Sequence, residues 1–207
     1  MNVKRKDYKE TKAYLIVITF AITFAFVIIL SFANEATKER IEKNQRLFLA
    51  RAVLHAMDIE YTSDTDALAV FNQEIVQAEV DERTLFVNES EPKKYGIKFS
   101  GNGLWSTIKG VIAVDETLTR ILGIDFIEQG ETPGLGGRIE ESWFKEQFQG
   151  EKIVNGTLLF AIGRSNPGDT NKENGSVDAI TGATSTSKSL ETILQRALKE
   201  LIARVRK

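Results

Sequence analysis

Residues 178 to 186 read Asp-Ala-Ile-Thr-Gly-Ala-Thr-Ser-Thr, a run of small side chains that ends in hydroxyls and opens into a helix-patterned tail. Such residues suit close approach to a phosphate better than acid/base chemistry. Free N–H groups and a favourable dipole at the start of the following helix would add to that. A threonine hydroxyl is a weak nucleophile at neutral pH unless a base activates it, and none adjoins the run. An ordinary Ser/Thr helix cap uses the same residue types. Two further stretches carry similar signals, Ser-Gly-Asn-Gly-Leu-Trp-Ser at 100 to 106 and Glu-Thr-Pro-Gly-Leu-Gly-Gly at 131 to 137. In the second, Pro133 fixes one φ and the glycines allow close backbone approach. Such a turn can lay peptide groups against a flat ring while Leu135 packs on its face, with Glu131 and Thr132 able to hydrogen-bond a polar edge. It is equally a tight β-to-α connection. Trp105 could belong to the core or wall a ligand.

Other chemistries are poorly served. There is no cysteine, hence no disulfide framework, thiolate nucleophile or Cys-ligated cluster. The lone His55 leaves a zinc site little to build on and a Ser-His-Asp set without a plausible base; it reads as a partly exposed helix residue. No Gly-Lys-Ser/Thr follows the glycines, and Gly-Leu-Gly-Gly lacks the GxGxxG order of a dinucleotide fold. We expect no catalytic residue and no metal site. Five of the 27 basic and two of the 29 acidic residues precede residue 34, so the remainder is mildly acidic, which argues against a nucleic-acid surface.

The elements that must position these residues can be read along the chain. Tyr14 to Phe32 carries no charge, and as a helix it would run about 28 Å, close to the ~30 Å of bilayer hydrocarbon. It exceeds the usual core of roughly 7 to 15 residues in a cleaved signal peptide, which favours a retained anchor. Basic residues flank it evenly, so the positive-inside rule leaves orientation a tie. Residues 35 to 57 keep helical spacing and read as a stalk. A second helix starts at Ser63 and carries the pattern through residue 80, with Leu68, Phe71 and Ile75 on one side. From Thr84 the period changes. The segments TLFVN, YGIKFS, STIKGVIAVD and TRILGIDFIE read as consecutive, antiparallel strands. A short helix is expected over 139 to 148 with Trp143 and Phe144 turned partly inward, then strands at 152 to 154 and 157 to 163. A polar loop over 165 to 176 follows, and from Ser187 a closing amphipathic helix runs with Leu190, Ile193, Leu194, Ala197, Leu198, Leu201 and Val205 on one stripe. The expected fold is α+β: a single N-terminal transmembrane helix, then a domain with a mainly antiparallel sheet and flanking helices. The expected boundaries are an N-terminal tail 1–12, a span 13–33, a stalk 34–57 and a domain 58–207.

The three motifs in this order resemble the FMN-carrying subunits of the Rnf electron-transport complex and of the Na+-translocating NADH:quinone reductase (Nqr). The resemblance spans about residues 95 to 190. It implies an FMN-binding domain with FMN bound covalently, the phosphate esterified to Thr184, and a maturing flavin transferase that recognises Asp178, two variable positions and Thr181-Gly182-Ala183-Thr184. It further implies that Ser185 and Thr186 lie against the phosphate, and that Glu131, Thr132, Gly134, Leu135, Gly136, Leu104 and Trp105 lie near the isoalloxazine. The implied protein is an electron carrier rather than a stand-alone enzyme. It would work with other membrane subunits of an ion-translocating Rnf or Nqr complex in the inner (cytoplasmic) membrane, single-pass, its domain extracytoplasmic. Chain length leans toward the Rnf protein and Gly-Asn-Gly-Leu-Trp-Ser toward the quinone reductase. The rival readings are a membrane-tethered binding or assembly module without redox role and a flavin reductase acting alone.

Overall fold

A computed structural model describes residues 12–80, 83–161 and 168–206. The chain divides into two compact units, one ending at Gln45 and one beginning at Arg46. Helix α1, Lys12–Ala56, runs from the first into the second. From Lys12 to Gln45 the helix is solvent-facing, with Phe20 and Phe24 stacked at 6.0 Å. An 18-residue window has mean hydropathy 2.8 and no buried residue, so the helix is long and apolar enough to cross a membrane. Among the described residues nothing covers these apolar side chains, which fits single-pass membrane anchoring.

The second unit is built on a five-stranded antiparallel meander, β1 Ile75–Val80, β2 Arg83–Asn88, β3 Lys94–Asn102, β4 Thr107–Asp115 and β5 Ile121–Glu128, in that spatial order. The four consecutive strand segments expected from sequence appear as β2 to β5. Both faces are covered. Ile108, Ile112 and Val114 of β4 face one core and Val111 and Ala113 the other, which is why this strand is buried almost without alternation. The second of these cores contains the end of α1 (Ala50, Val53, Leu54, Ala56), Met57 just beyond it, and helix α2, Asp64–Glu74, with Phe71 against Phe86 at 6.2 Å. The last turns of α1, read from sequence as stalk, are thus part of the domain's packing.

Helix α2 begins as expected: Ser63 caps it, its Oγ accepting from the Asp66 N–H at 3.2 Å, with Asp64 and Asp66 in the first turn. It does not continue to residue 80. Ile75 is already extended and pairs with Asn88, and Ile75–Val80 become the edge strand. Buried Asn88 donates to the Glu74 carbonyl at 3.4 Å, giving the helix end a partner that only the fold supplies.

On the opposite face lies α4, Thr184–Val205, whose Leu190, Ile193, Leu194, Leu198 and Leu201 are buried on the predicted stripe. It packs directly on β3 at Gly101, where a Cβ would come 2.4 Å from Ile193 Cγ1. The expected helix over 139–148 is a 3-10 turn at Gly136–Glu140 followed by the single turn α3, Ser142–Glu146, because Glu141 is extended between them. Phe144 is buried against Phe148 and Phe160, while half-buried Trp143 lies under the Arg138 guanidinium and donates its ring N–H to Glu141. The strand expected at 157–163 is β6, Leu159–Ala161, with residues 162 and 163 outside the described segments. It pairs in parallel with β7, Ser176–Asp178, a segment whose sequence reads as loop. The segment 152–154 forms only isolated bridges, Arg120 to Lys152 and Val154 to Thr157.

Candidate functional site

Three loops converge at the N-terminal end of α4. Strand β7 delivers the first of them. The Asp178 N–H donates to Gln147 Oε1 at 2.7 Å, and Gln147 Nε2 donates back to the Asp178 carbonyl at 3.3 Å, so the strand end is clamped before the turn begins. Ala179, Ile180 and Ala183 point into the core, which anchors the turn from below. Gly182 has φ +81°, a left-handed conformation that suits glycine, and a Cβ there would stand 3.3 Å from Leu135 Cδ2.

The helix then starts at Thr184, three residues earlier than the sequence pattern suggests. Thr184 and Ser185 are exposed, whereas Thr186 and Ser187 are buried. The hydroxyls therefore divide into two pairs. Ser187 Oγ accepts from the Ile180 N–H at 3.2 Å and holds the turn, and Thr186 reaches inward to Glu131. Ala183 at the cap position carries no side-chain hydrogen bond to the helix, so the first-turn N–H groups have no competing side-chain cap from that residue.

Glu131 is 4% exposed and joins all three loops. Its Oε1 accepts from the N–H groups of Trp105 at 2.9 Å and Ser106 at 3.2 Å. Its Oε2 accepts from the Leu104 N–H at 3.2 Å and from Thr186 Oγ1 at 2.6 Å. Burial pushes the carboxyl pKa up. The hydrogen bonds from Thr186 and from the N–H groups of Trp105, Ser106 and Leu104 outweigh this and hold it below the ordinary carboxylate range. A carboxylate with four donors has little capacity left for a ligand. Through these four bonds Glu131 ties together the loops that surround the site. Space for it comes from Gly103 and Gly136, where a Cβ would lie 2.5 Å from Glu131 Oε1 and from Thr186 Oγ1 respectively. Ser106 Oγ accepts from the Gly130 N–H at 2.6 Å and closes the same junction.

What these ties leave outside is apolar. Leu104 is 54%, Trp105 73% and Leu135 45% exposed, so Trp105 is not a core residue. Thr181, Thr132 and Gly134 are also exposed, and the turn at Gly134 has φ +73°. Asp178 is 2% exposed, so in the folded domain it faces the interior rather than an approaching protein. The side chains of Gln147, Ser106 and Ser187 hold these loops in place, a role that the sequence does not announce. Their contributions depend on tertiary contacts that no local spacing announces.

His55 lies elsewhere, in the α1–α2 layer, with Nδ1 3.3 Å from Asp125 Oδ2, while Lys145 Nζ approaches Asp125 Oδ1 at 3.0 Å. An open cavity of about 580 Å³ there is lined by His55, Asp58, Ile59, Tyr61, Thr62 and Gln149, and none of the converging loops reaches it.

Comparison with known proteins agrees with this geometry. Residues 103–199 match the family described as the FMN-binding domain. The NqrC protein of the Na+-translocating NADH-quinone reductase of Neisseria meningitidis serogroup A is 37% identical over 110 residues, covering 52% of this chain and 42% of that protein. Its counterpart in Vibrio anguillarum is 32% identical over 136 residues, 66% of this chain and 52% of that one. These alignments span about half the length of the curated relatives. The crystal structure of NqrC from Parabacteroides distasonis superposes with a TM-score of 0.66 at 25% identity, covering 82% of this chain and 97% of that one. That of Shewanella oneidensis NqrC, at 19% identity and a TM-score of 0.58 over 77% and 98%, shares the fold. Residues 103–199 are thus similar to an FMN-binding domain, and the chain is similar to these quinone-reductase subunits in sequence and fold.

Proposed function

We propose that this chain is a membrane-anchored electron carrier whose FMN is held by a phosphoester to Thr184, within an ion-translocating redox complex of the Nqr or Rnf type. The observation that carries the reading is the arrangement around the start of α4. An exposed threonine hydroxyl sits in the first helical turn, and exposed Leu104, Trp105 and Leu135 belong to the loops tied to that turn. A helix N-terminus binds phosphate oxygens through free N–H groups and its dipole. Apolar side chains beside it suit a flat aromatic ring.

The residues present fit FMN, and each has a definable task. Thr184 provides the linking oxygen. The N–H groups of Ser185 and its neighbours in the first turn would bind the phosphate. Gly182 and exposed Thr181 keep the approach open, and Leu135 covers its inner side. When bound, FMN supplies the electron-accepting and donating chemistry, and the protein fixes its distance and surroundings. With no base beside Thr184 in the sequence, attachment falls to a separate flavin transferase. The threonine oxygen would displace a leaving group from an activated flavin phosphate and surrender its proton to the transferase. A covalent link keeps the cofactor from being lost outside the cytoplasm, where we place the domain, with α1 as a single-pass anchor in the inner membrane. Neighbouring subunits of the complex are the electron partners.

The test is co-expression with a flavin transferase, then denaturing gel separation. The band should fluoresce as a flavin, and Thr184→Ala should abolish that signal. A colourless wild-type protein under these conditions would favour a tethered binding or assembly module instead.

A further inference from the structure

Resting on that reading, we propose that Glu131 is the positioning residue of the flavin seat: its carboxylate locks the ring-side loop 104–106 to the phosphate-side helix and places one uncompensated negative charge beside the ring.

The first half follows from where the four donors come from. Three belong to consecutive backbone N–H groups of the loop bearing Leu104 and Trp105, whose side chains face outward. The fourth is Thr186, two residues beyond Thr184 on the same helix. Glu131 itself opens the segment that carries Leu135. One carboxylate thus sets the spacing among every exposed group assigned to the ring and the residue assigned to the phosphate. Consecutive N–H groups converging on one acceptor also fix the loop's backbone, so Leu104 and Trp105 can stay exposed without being loose.

The second half follows from what does not approach. Among the described residues, no Lys or Arg pairs with Glu131, whereas Asp125, a carboxylate on β5, has Lys145 at 3.0 Å. The hydrogen bonds keep Glu131 ionised without neutralising it. A negative charge beside an electron-accepting ring disfavours the reduced form, so the carboxylate lowers the ring's midpoint potential. Glutamine preserves shape but offers one acceptor oxygen where the carboxylate offers two, and it carries no charge.

The full chain, co-expressed with a flavin transferase and purified in detergent, separates the two effects. Glu131→Gln should retain the FMN mass increment, because Thr184 stays exposed, yet its flavin fluorescence anisotropy should fall and its midpoint potential should rise. Thr186→Val, which cuts the helix tie but keeps the charge, should lower anisotropy with a smaller rise in potential, and Thr186→Ser should restore wild-type values. Flavin-loaded Glu131→Gln with unchanged anisotropy and unchanged potential would overturn the inference. If Glu131→Gln does not fold, Thr186→Val with wild-type anisotropy would do the same. A wild-type protein lacking the mass increment would instead overturn the functional reading on which this rests.

Discussion

Replacing Thr186 by valine removes one hydroxyl from a side chain that is 1% exposed and leaves its volume and branching nearly unchanged. The lost interaction is the 2.6 Å bond to Glu131 Oε2. Hydrogen bonds to charged groups contribute on the order of 1.5–3 kcal/mol, and without this one Oε2 keeps only the Leu104 N–H. We expect a loss of about 2 kcal/mol at neutral pH, which for a protein of this size lowers the melting temperature by about 4–8 °C. Thermal unfolding of the detergent-solubilised chain, followed by fluorescence of Trp105 and Trp143, measures it. The pH dependence adds a sharper signature. Glu131 has a depressed folded-state pKa, so its contribution is present above the ordinary carboxyl pKa and disappears as pH falls through the folded value. Thr186 is the strongest of the bonds holding that pKa down, so the gap between wild type and Thr186→Val should be full at pH 7 and shrink on acidification. A variant within about 0.5 kcal/mol of wild type at pH 7, the ordinary range for inconsequential surface changes, would refute the claim that this bond ties the loops.

Two other perturbations test neighbouring features. Gly182→Ala forces an L side chain into φ +81° and should cost about 1–2 kcal/mol while reducing the fraction of chains that acquire gel-resistant flavin fluorescence. Glu151 is fully buried, its Oε1 accepts from the Gly175 and Ser176 N–H groups, and its Oε2 lacks a partner among the described residues. Burial raises its pKa, so its contribution holds at low pH and is lost as pH rises through the folded value. Glu151→Gln should therefore melt above wild type at alkaline pH, the difference shrinking as pH falls; equal melting temperatures across the range would contradict this.

Much of the architecture could be read from local pattern. The cap at Ser63, the four segments that form β2 to β5 and the stripe on α4 are signals carried by neighbouring residues, and each appears in place. The errors fall where distant residues decide. Helical spacing runs on past Glu74, but pairing with β2 converts Ile75–Val80 to strand, since the β-branched Ile75 and Val76 gain a ladder partner there. Thr184, Ser185 and Thr186 have modest helix propensity, so local pattern sets them before the helix. The turn fixed by Gln147, Gly182 and Ser187 instead starts it at Thr184. Within the site, the loops themselves are legible from glycine, proline and hydroxyl content. The job of Glu131 is not, because its partners lie 25 to 55 residues away and its burial exists only in the fold.

The most direct measurement is the intact mass of the protein isolated from its own cells, with peptide mapping of the segment around residue 184. The account predicts a single increment equal to FMN less one water, located on Thr184 and missing from Thr184→Ala. An unmodified Thr184 in native material, or an increment that survives its replacement by alanine, would contradict it.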